Sequence, residues 1–351
     1  MKKKKVLFVT PFFPSFVLSD IQILRENFSI RINNYPWQHK ILAPAFFVIQ
    51  FFSVFVNLFR VDVLLTSFGG YWSVWPVLLG KLFRKPSFII LHGTDCASIP
   101  ELNYGSLRLP LLKWACKISY QHASRLLPVS ESLGNVFLDF DPVLIHKSQG
   151  IHYHFRDIKT PVTAVYNGFD HKLWPYEAFT KKPPNTFLAV MSAAQYRLKG
   201  GDIIEEIAWL RPDLDFKIAG LNALQKPLPP NLQFLGKLSQ QELSNAYRSS
   251  RYYLQLSTFE GFGCALAEAM LSGCIPIGSS ANHIPKIIAG NGLILQKKDR
   301  TMLLQAIQQL LSLSKPEEIS RKARRHIIKN YSLTRRKETL STLLNNYEQP
   351  N

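Results

Sequence analysis

The chain has 351 residues, and at roughly 150 residues per domain this length predicts two domains. With 46% hydrophobic and 19% charged residues the chain can bury a core, which excludes disordered, collagen-like and polytopic membrane proteins. Its 42 lysines and arginines exceed its 24 acidic residues, and the net charge of +18 favours nucleic acid, an anionic membrane surface or phosphorylated substrates as partners. The four cysteines show neither CxxC nor zinc-site spacing, which fits a reducing cytosol.

The N-terminal segment admits two interpretations. Residues 1–18 combine four lysines with an apolar run, as a signal peptide would. Pro11 and Pro14 interrupt that run, however, and no small-x-small cleavage site follows. We therefore predict a short buried strand over Val6–Thr10, which opens an α/β domain and ends in a proline-rich loop.

The next apolar stretch, Ile41–Phe59, contains no charged residue. A helix from Ala45 onward would be only about 22 Å long, short of the ~30 Å hydrocarbon core of a bilayer. Gln50, Ser53 and Asn57 form a narrow polar stripe on this helix. The pattern predicts either a helix packed in the core of the first domain or one that lies in a membrane interface.

Aromatic and basic residues flank the following apolar turn. Trp72 and Trp75 precede it, and Lys81, Arg84 and Lys85 follow it. Such residues beside apolar helices suit anionic lipid headgroups. The sequence therefore leaves two interpretations open: a core helix, or peripheral contact with an anionic membrane surface.

Short apolar runs alternate with helical periodicity along the whole chain. The predicted strands are Val6–Thr10, Val61–Ser67, Ser87–Leu91, Arg125–Val129, Thr163–Tyr166, Thr186–Met191, Asp215–Gly220, Leu232–Leu235, Tyr252–Leu256 and Cys274–Gly278. Helices such as Ile203–Leu210 lie between them, and capping-box spacing in Ser239/Glu242 and Ser314/Glu317 predicts two helix starts. Two such sets of elements predict two doubly wound domains with parallel sheets.

The boundary between these domains is predicted within residues 167–184. There an Asn-Gly turn is followed by Lys-Lys-Pro-Pro, which is a linker composition. The last predicted helix carries Leu340, Leu343, Leu344 and Tyr347 on one face, an apolar stripe that needs a partner surface.

The most informative stretch, residues 257–278, reads STFEGFGCALAEAMLSGCIPIG. A strand ends before it, a loop with two glycines follows, and a helix begins near Gly263. Glycines let a backbone approach a ligand closely, and N–H groups at a helix start favour anions. Glu260 in the loop and Glu268 in the helix would bracket a phosphorylated ligand and accept hydrogen bonds from sugar hydroxyls. The alternative is an ordinary strand–loop–helix unit with a solvent-facing glutamate.

The frame E-G-F-G-x-x-x-x-E-A-M-x-x-G-x-P resembles the signature of family 4 retaining glycosyltransferases of the GT-B fold. Other segments agree with that family in their order along the chain: KKVLFVT (4–10), LHGTD (91–95), LPVSESL (127–133), YNGFD (166–170), KG (199–200) and YS (331–332) before a final helix. The resemblance extends over nearly the whole chain, strongly in the second domain and loosely before residue 85.

The resemblance implies an α/β architecture of two Rossmann-like domains that face a cleft. Residues 1–170 would form the acceptor-side domain, and residues 171–332 would form the domain that binds the nucleotide-sugar donor. The final helix, over residues 333–351, would pack back on the first domain.

The resemblance also implies a reaction: transfer of a hexose-type sugar from a nucleotide diphosphate sugar, with the anomeric configuration retained and with no metal or other cofactor. Glu260 would contact the hydroxyls of the donor sugar and Glu268 the ribose. Lys199 would offset the negative charge on the departing diphosphate. Because the leaving phosphate would itself take the acceptor proton, no protein nucleophile is implied.

Further residues receive roles by the same resemblance. His92 would face the reacting sugar, and Asp95 and Ser15 would lie on the acceptor side. The remaining donor-binding residues are Gly261, Phe262, Gly263, Arg197, Asn167 and Gly168. Arg197 would replace an arginine that many relatives carry where this chain has Ala193. Plain structural roles remain the alternatives: a turn for Lys199 and for Asn167-Gly168, a helix cap for Asp95 and a packing role for His92.

These observations predict a glycosyltransferase that acts on a glycan or lipid-linked acceptor in bacterial surface polysaccharide synthesis. We expect it to be cytoplasmic and peripheral on the inner face of the membrane. One alternative is an epimerase or hydrolase of the same fold that uses nucleotide sugars. A basic nucleic-acid-binding protein is the other, but no helix-turn-helix, zinc finger or stacking module is recognised, so no specific nucleic acid is expected.

Overall fold

The computed structural model describes residues 3–39 and 41–347. Residues 1, 2, 40 and 348–351 lie outside this description, including the start of the signal-peptide alternative and the end of the predicted final helix. The chain divides into two compact units. Unit 1 runs to Val136 and also includes Ser148–Gly168 and the chain from Leu333 onward, whereas unit 2 comprises Phe137–Lys147 and Phe169–Ser332.

Strands and helices alternate through both units. The strands are β1 Lys5–Val9, β2 Ser29–Asn33, β3 Val63–Ser67, β4 Ser87–Leu91, β5 Arg125–Pro128, β6 Val136–Phe137, β7 Ser148–Gln149, β8 Thr186–Val190, β9 Asp215–Ala219, β10 Leu232–Phe234, β11 Tyr252–Gln255, β12 Ile275–Ser279 and β13 Leu293–Leu295. The helices are α1 Ser15–Asn27, α2 Ala43–Leu58, α3 Tyr71–Leu82, α4 Pro110–His122, α5 Ile151–His154, α6 Gly201–Leu210, α7 Gln240–Arg248, α8 Cys264–Leu271, α9 Ile284–Ile288, α10 Arg300–Leu311, α11 Pro316–Asn330 and α12 Leu333–Asn345.

Unit 1 is built on a five-stranded parallel sheet in the order β2-β1-β3-β4-β5. The strands β3 and β4 are buried along their whole length, which explains their continuous apolar sequences. The edge strand β2 was not predicted, because most of its residues are exposed and it has no apolar run. The helix α12 packs on α1, as the apolar stripe and the family resemblance led us to expect.

Unit 2 contains a six-stranded parallel sheet in the order β10-β9-β8-β11-β12-β13. The core beside it includes Phe187, which stacks on Phe216 and on Tyr252 with ring centroids 5.2 and 4.8 Å apart. From β8 the chain first adds strands on one side, and β11 to β13 then follow on the other side. The carboxyl ends of β8 and β11 therefore mark the topological switch point, where doubly wound sheets bind ligands.

Two local predictions are wrong. Residues 163–166 are an extended segment beside β5 and not a strand: Thr163 N and Val165 N donate to Leu126 O and Pro128 O, but Pro128 has no N–H to return a bond, so the ladder is interrupted. The box predicted at Ser314 does not form either. The helix α11 begins at Pro316, and the carboxylate of Glu317 instead accepts from Phe179 N and Tyr176 Oη. The capping box of Ser239 and Glu242 is confirmed at the start of α7.

One segment belongs to a different unit from the one that the sequence suggested. Residues 137–147 were assigned to the first domain but group with unit 2. Phe140 is buried in the hydrophobic core of unit 2, Asp139 pairs with Lys297, and Asp141 accepts from Lys298 Nζ at 3.0 Å. Within residues 3–39 and 41–347, no helix has both the length and the hydrophobicity to cross a bilayer.

Candidate functional site

The loops that follow the two strands at the switch point carry Lys199 and Glu260, two of the charged residues of the predicted site. Lys199 lies between β8 and α6, and Glu260 lies between β11 and α8. The Lys199 Nζ is 3.7 Å from Glu260 Oε2, and both side chains are largely buried. The two loops are tied together because Thr258 N donates to Leu198 O at 2.8 Å. The topology thus brings together an ammonium and a carboxylate that are 61 positions apart in the sequence.

Gly200 permits this close approach. Its φ of +76° lies in the left-handed region, and a Cβ at this position would be 2.7 Å from Leu256 Cβ and 2.9 Å from Leu256 O. Any other residue would therefore push the Lys199 loop away from the strand end that precedes Glu260. The Lys-Gly pair of the sequence motif is explained by this contact.

Glu260 is held by hydrogen bonds on both its side chain and its backbone. Its Oε2 accepts from Gln255 Nε2 at 2.9 Å and from Ser257 Oγ at 3.2 Å. Its backbone N–H donates to Asn282 Oδ1 at 3.0 Å. Gln255 is fixed in turn, because its Oε1 accepts from Tyr253 Oη at 3.1 Å. The carboxylate therefore has a defined orientation, as a group that contacts a sugar hydroxyl requires.

Glu268 lies on α8, where its Oε2 accepts from Tyr247 Oη at 3.1 Å. The residue retains some solvent exposure, but protein surrounds its carboxyl group. Burial raises the pKa of Glu268 to about 8, although the hydrogen bond from Tyr247 and the charge of Lys199 both lower it. At neutral pH this carboxyl is consequently protonated, and it can both donate and accept a hydrogen bond.

The loop between Glu260 and α8 is shaped by its glycines and by one aromatic ring. Gly263 has a φ of +108° and immediately precedes α8, so a residue with a Cβ would be strained there. Phe262 is buried and packs on Phe169, His283 and Tyr331 at ring distances of 5.3–6.0 Å. Phe262 is thus a packing residue that anchors the loop at the start of the helix.

Three of the predicted donor-binding residues lie apart from these contacts. Arg197 is exposed, and its carbonyl accepts from Lys298 Nζ at 3.3 Å. Asn167 is buried and Gly168 is half-buried at the end of the unit 1 segment Ser148–Gly168. The structure thus joins Lys199, Glu260, Glu268 and the glycine loop within unit 2, while Asn167 and Gly168 belong to unit 1.

His92 and Asp95 lie in unit 1, in the loop after β4. His92 Nε2 is 2.9 Å from Ser67 Oγ, and its ring packs on Phe16 and Phe68 at 4.7 and 4.2 Å. Burial and the nearby Arg336 charge hold the pKa of His92 well below its ordinary value, so the ring is neutral at physiological pH. Its Nδ1 is buried and has no hydrogen-bond partner among the described residues.

Asp95 is only 1% exposed, and its carboxylate accepts from three backbone N–H groups: Gly69 at 2.8 Å, and His92 and Gly93 at 3.0 Å each. These bonds fix the loop that carries His92, so Asp95 acts as a positioning residue there. Ser15, the other predicted acceptor-side residue, is exposed at the first position of α1.

Comparisons with known proteins bear on this arrangement. Residues 178–330 match the family model of glycosyl transferases group 1. This segment is a group 1 glycosyltransferase domain. Comparison with the curated proteins finds no match.

Solved structures that are similar over nearly the whole chain share its fold. Sucrose-phosphate synthase from Thermosynechococcus elongatus aligns with a TM-score of 0.72 and 13% identity, over 97% of this chain and 98% of that one. HepE from Anabaena, solved with UDP, aligns with a TM-score of 0.70 and 15% identity, over 98% and 100%. A glycosyltransferase from Rickettsia africae aligns with a TM-score of 0.65 and 15% identity, over 99% of this chain and 100% of that one. The predicted GT-B fold and the predicted enzyme class are confirmed.

Sequence reasoning missed a supporting network in the glycosyltransferase domain. Asp141 Oδ2 accepts from Thr258 Oγ1 at 2.7 Å and from Lys298 Nζ at 3.0 Å, and Lys298 also contacts Asp202 Oδ2 at 2.9 Å. Asp141 therefore braces the Glu260 loop from a distant part of the chain. No local pattern marks Asp141, whereas Gln255 had one available signal: a polar residue at the end of a buried strand, just before the motif.

A metal site was not expected, and the described residues, 3–39 and 41–347, contain no group of three or more His, Cys, Asp or Glu side chains arranged to hold a metal ion. The positive charge near Glu260 comes from Lys199 and from the N-terminal end of α8, where the helix dipole favours anions. This combination suits a ligand with both hydroxyl and phosphate groups.

Proposed function

We propose that the enzyme transfers a hexose-type sugar from a nucleotide diphosphate sugar, with retention of anomeric configuration and without a metal. One observation carries this proposal: the Lys199 ammonium and the oriented Glu260 carboxylate lie 3.7 Å apart at the switch point of unit 2. Opposite charges so placed can bind the two chemically different parts of such a donor. The family resemblance supports the retained configuration.

Lys199 is assigned to the diphosphate. Negative charge grows on the diphosphate as the bond to the sugar breaks, and a fixed cation in a water-poor site stabilises that charge. The start of α8 contributes a partial positive charge on the same loop. In other transferases a metal ion stabilises the charge on the diphosphate. Here Lys199 and the start of α8 would do so, which supports metal-independent catalysis.

Glu260 is assigned to the sugar hydroxyls and Glu268 to the ribose. Gln255 and Ser257 occupy Oε2 of Glu260, so its Oε1 is assigned to a donor hydroxyl. Burial raises the pKa of Glu268 to about 8, and strongly perturbed pKa values cluster at functional sites. Gly261, Phe262 and Gly263 shape the loop between them, and Arg197 is assigned to the phosphates.

A UDP-sugar is the first donor to test. Structures of HepE exist with UDP, with UDP and glucose, and with UDP-glucose, and that protein shares the fold with this chain. His92, as a neutral ring, is assigned to the transfer step as a hydrogen-bonding group, and Asp95 holds its loop. Asn167, Gly168 and Ser15 retain the roles that the family resemblance implies.

The acceptor is proposed to be a glycan or lipid-linked saccharide in bacterial surface polysaccharide synthesis. The net charge of +18 suits an anionic acceptor or an anionic membrane, and the enzyme is proposed to work peripherally on the cytoplasmic face. The first domain would then serve the acceptor, and the second, residues 171–332, would serve the donor.

The proposal is tested by a thermal-shift series with UDP-, GDP-, ADP- and dTDP-sugars, since a ligand that binds only the native protein raises its stability. We expect one nucleotide class to raise the melting temperature, and Lys199→Ala to reduce the rise at the same ligand concentration. EDTA should leave the rise unchanged. Absence of a shift with all four classes contradicts the proposal, and release of free or epimerised sugar without acceptor would favour a hydrolase or epimerase.

A further inference from the structure

The helix α2 turns its polar residues toward the protein. Gln50 is fully buried, and its Nε2 donates to Asn33 Oδ1 at 3.1 Å. Ser53 Oγ accepts from Asn33 Nδ2 at 2.9 Å, and Asn57 Oδ1 accepts from Arg31 Nη1 at 3.3 Å. The polar stripe on α2 thus forms hydrogen bonds with side chains of β2. Val54 and Leu58 join the hydrophobic core from the same side, so α2 packs on unit 1 through a side that is part polar and part apolar.

The opposite side of α2 presents large apolar side chains to the outside. Its exposed members are Leu42, Val48, Ile49, Phe52, Phe55, Val56 and Phe59, of which Phe52 and Phe59 are 61% and 69% exposed. From Val48 onward their spacing places them on one side of the helix. Isolated exposed apolar residues are normal in soluble proteins, but a contiguous apolar face marks an interaction surface.

The end of α3 extends this apolar face. Phe83 packs edge-on against Phe55 and Phe59, with ring centroids 5.7 and 5.8 Å apart, and Leu82 beside it is 73% exposed. Lys81 and Arg84, on either side of these two residues, are exposed as well. The exposed residues of α2 together with Leu82 and Phe83 are called the apolar face below.

A basic pocket adjoins this apolar face at Phe59. It has a volume of about 410 Å³, and its lining residues are Lys3, Lys4, Lys5, Phe59, Arg60, Val61, Asp62 and Lys85. The one acid among them, Asp62, accepts from the backbone N–H of Lys5 at 2.8 Å. Five cationic side chains against one carboxylate give the pocket a net positive charge. Lys3 Nζ and Lys4 Nζ donate to the carbonyls of Arg25 and Asn345, so Lys5, Arg60 and Lys85 are the cations offered to a phosphate group.

We propose that the apolar face and the basic pocket form a docking surface for an anionic lipid bilayer. The apolar side chains would enter the boundary between headgroups and acyl chains, while the basic pocket would bind a lipid phosphate. The helix α2 spans about 24 Å and would lie along the surface. Charge complementarity decides against a second copy of this chain, because two such surfaces would bring ten cations together. The inference deepens the proposed peripheral location and rests on that part of the proposed function alone.

The test is co-sedimentation of the full chain with phosphatidylcholine vesicles, with and without phosphatidylglycerol. We expect binding to the anionic vesicles only. Phe52→Ser/Phe59→Ser should abolish this binding, whereas Trp209→Ser/Leu210→Ser, a matched pair of exposed apolar residues in unit 2, should not change it. Arg60→Ala/Lys85→Ala should weaken binding by about fivefold per charge removed, and Arg325→Ala/Lys315→Ala should have a smaller effect.

Each result has a defined meaning. Equal binding to neutral and anionic vesicles, or equal losses in the test and control pairs, overturns the proposal. A dimer in sedimentation velocity that Phe52→Ser/Phe59→Ser dissociates would assign the apolar face to a second copy and would also overturn it. The UDP-sugar thermal shift is measured on every variant, so a folding defect is detected. Loss of vesicle binding with donor binding intact leaves the donor chemistry standing, and the reverse result refutes the donor chemistry alone.

Discussion

Arg336 of α12 and Asp20 of α1 form a buried ion pair between the two ends of the chain. Arg336 donates from Nε to Asp20 Oδ1 at 2.5 Å and from Nη2 to Asp20 Oδ2 at 2.6 Å. Both side chains are almost fully buried. The Nη1 of Arg336 also donates to the carbonyls of Val165 and Tyr166 at 2.9 and 2.8 Å. The pair therefore fastens the last helix to unit 1.

Replacing Arg336 with methionine leaves the Asp20 carboxylate buried without its partner. We expect a loss of about 3–5 kcal/mol in the free energy of unfolding of unit 1, measured by urea denaturation. The exposed pair Lys337–Glu26, 2.9 Å apart on the same two helices, provides the control, and Lys337→Ala should cost less than about 1 kcal/mol. Equal losses in the two variants would show that the buried pair has no special role.

The raised pKa of Glu268 predicts a pH-dependent stability. Between its ordinary value of 4.5 and the folded value of about 8, the folded protein binds more protons than the unfolded chain. Stability is therefore lost as the pH rises through this window and levels off above it. Glu268→Gln cannot ionise at this position. Its free energy of unfolding, relative to that of the wild type, should therefore increase by on the order of 2–4 kcal/mol from pH 5 to pH 9.

Thermal melts of both proteins across that range provide the measurement. At pH 9, where the wild-type carboxyl is ionised, the same variant should bind a UDP-sugar more weakly, because the glutamine amide has only one oxygen to accept from the two ribose hydroxyls. A constant difference in melting temperature between pH 5 and pH 9 would show that Glu268 has an ordinary pKa. Unchanged donor affinity would remove its proposed ribose contact.

Gln255 is predicted to position Glu260 without touching the donor nucleotide. Gln255→Leu removes the 2.9 Å hydrogen bond to Oε2 and should lower kcat/KM by about 10- to 100-fold, since small displacements of an oriented group are costly. The affinity for UDP should stay the same while that for the UDP-sugar falls. Tyr253→Phe, which removes only the bond to Gln255 Oε1, should have the same effect in weaker form. Equal losses of UDP and UDP-sugar affinity would point to general damage of the fold.

His92 is expected to remain neutral throughout the physiological range. Burial and the charge of Arg336 lower its pKa, so its ring signals in an NMR titration should not shift between pH 6 and pH 8. The signals of His92 are assigned as those that are absent from the spectrum of the His92→Gln variant. The same variant should lower kcat without introducing or removing a pH-dependent step in this range. Titration of His92 near neutral pH would instead give it a role as a proton-transfer group.

Much of the fold of both units followed from local sequence. Buried strands such as β4 and β11 have continuous apolar runs, and Gly200 and Gly263 occupy backbone conformations that few other residues adopt. The positions of Lys199 and Glu260 were predictable because the loops after adjacent parallel strands meet at one edge. These features depend on neighbours in the chain and on a general rule of sheet topology.

The remaining features depend on contacts between distant residues. Asp141 supports the Glu260 loop across 117 positions, and Glu317 binds Phe179 N where a helix cap was predicted. The edge strand β2 pairs with β1 although its own residues have little apolar character. The direction in which the polar stripe of α2 faces could not be predicted either. The sequence shows the stripe but not Asn33, the residue with which Gln50 and Ser53 form hydrogen bonds.

The central claim is that Lys199 and Glu260 bind a nucleotide-sugar donor. Isothermal titration of UDP and UDP-glucose into the wild type, Lys199→Ala and Lys315→Ala tests it most directly, with exposed Lys315 as a charge-matched control. Loss of the Lys199 cation should weaken both ligands at least about tenfold, in line with the ~1.5–3 kcal/mol typical of charge-assisted hydrogen bonds, while Lys315→Ala should bind as the wild type does. Equal affinities in all three proteins would contradict the account.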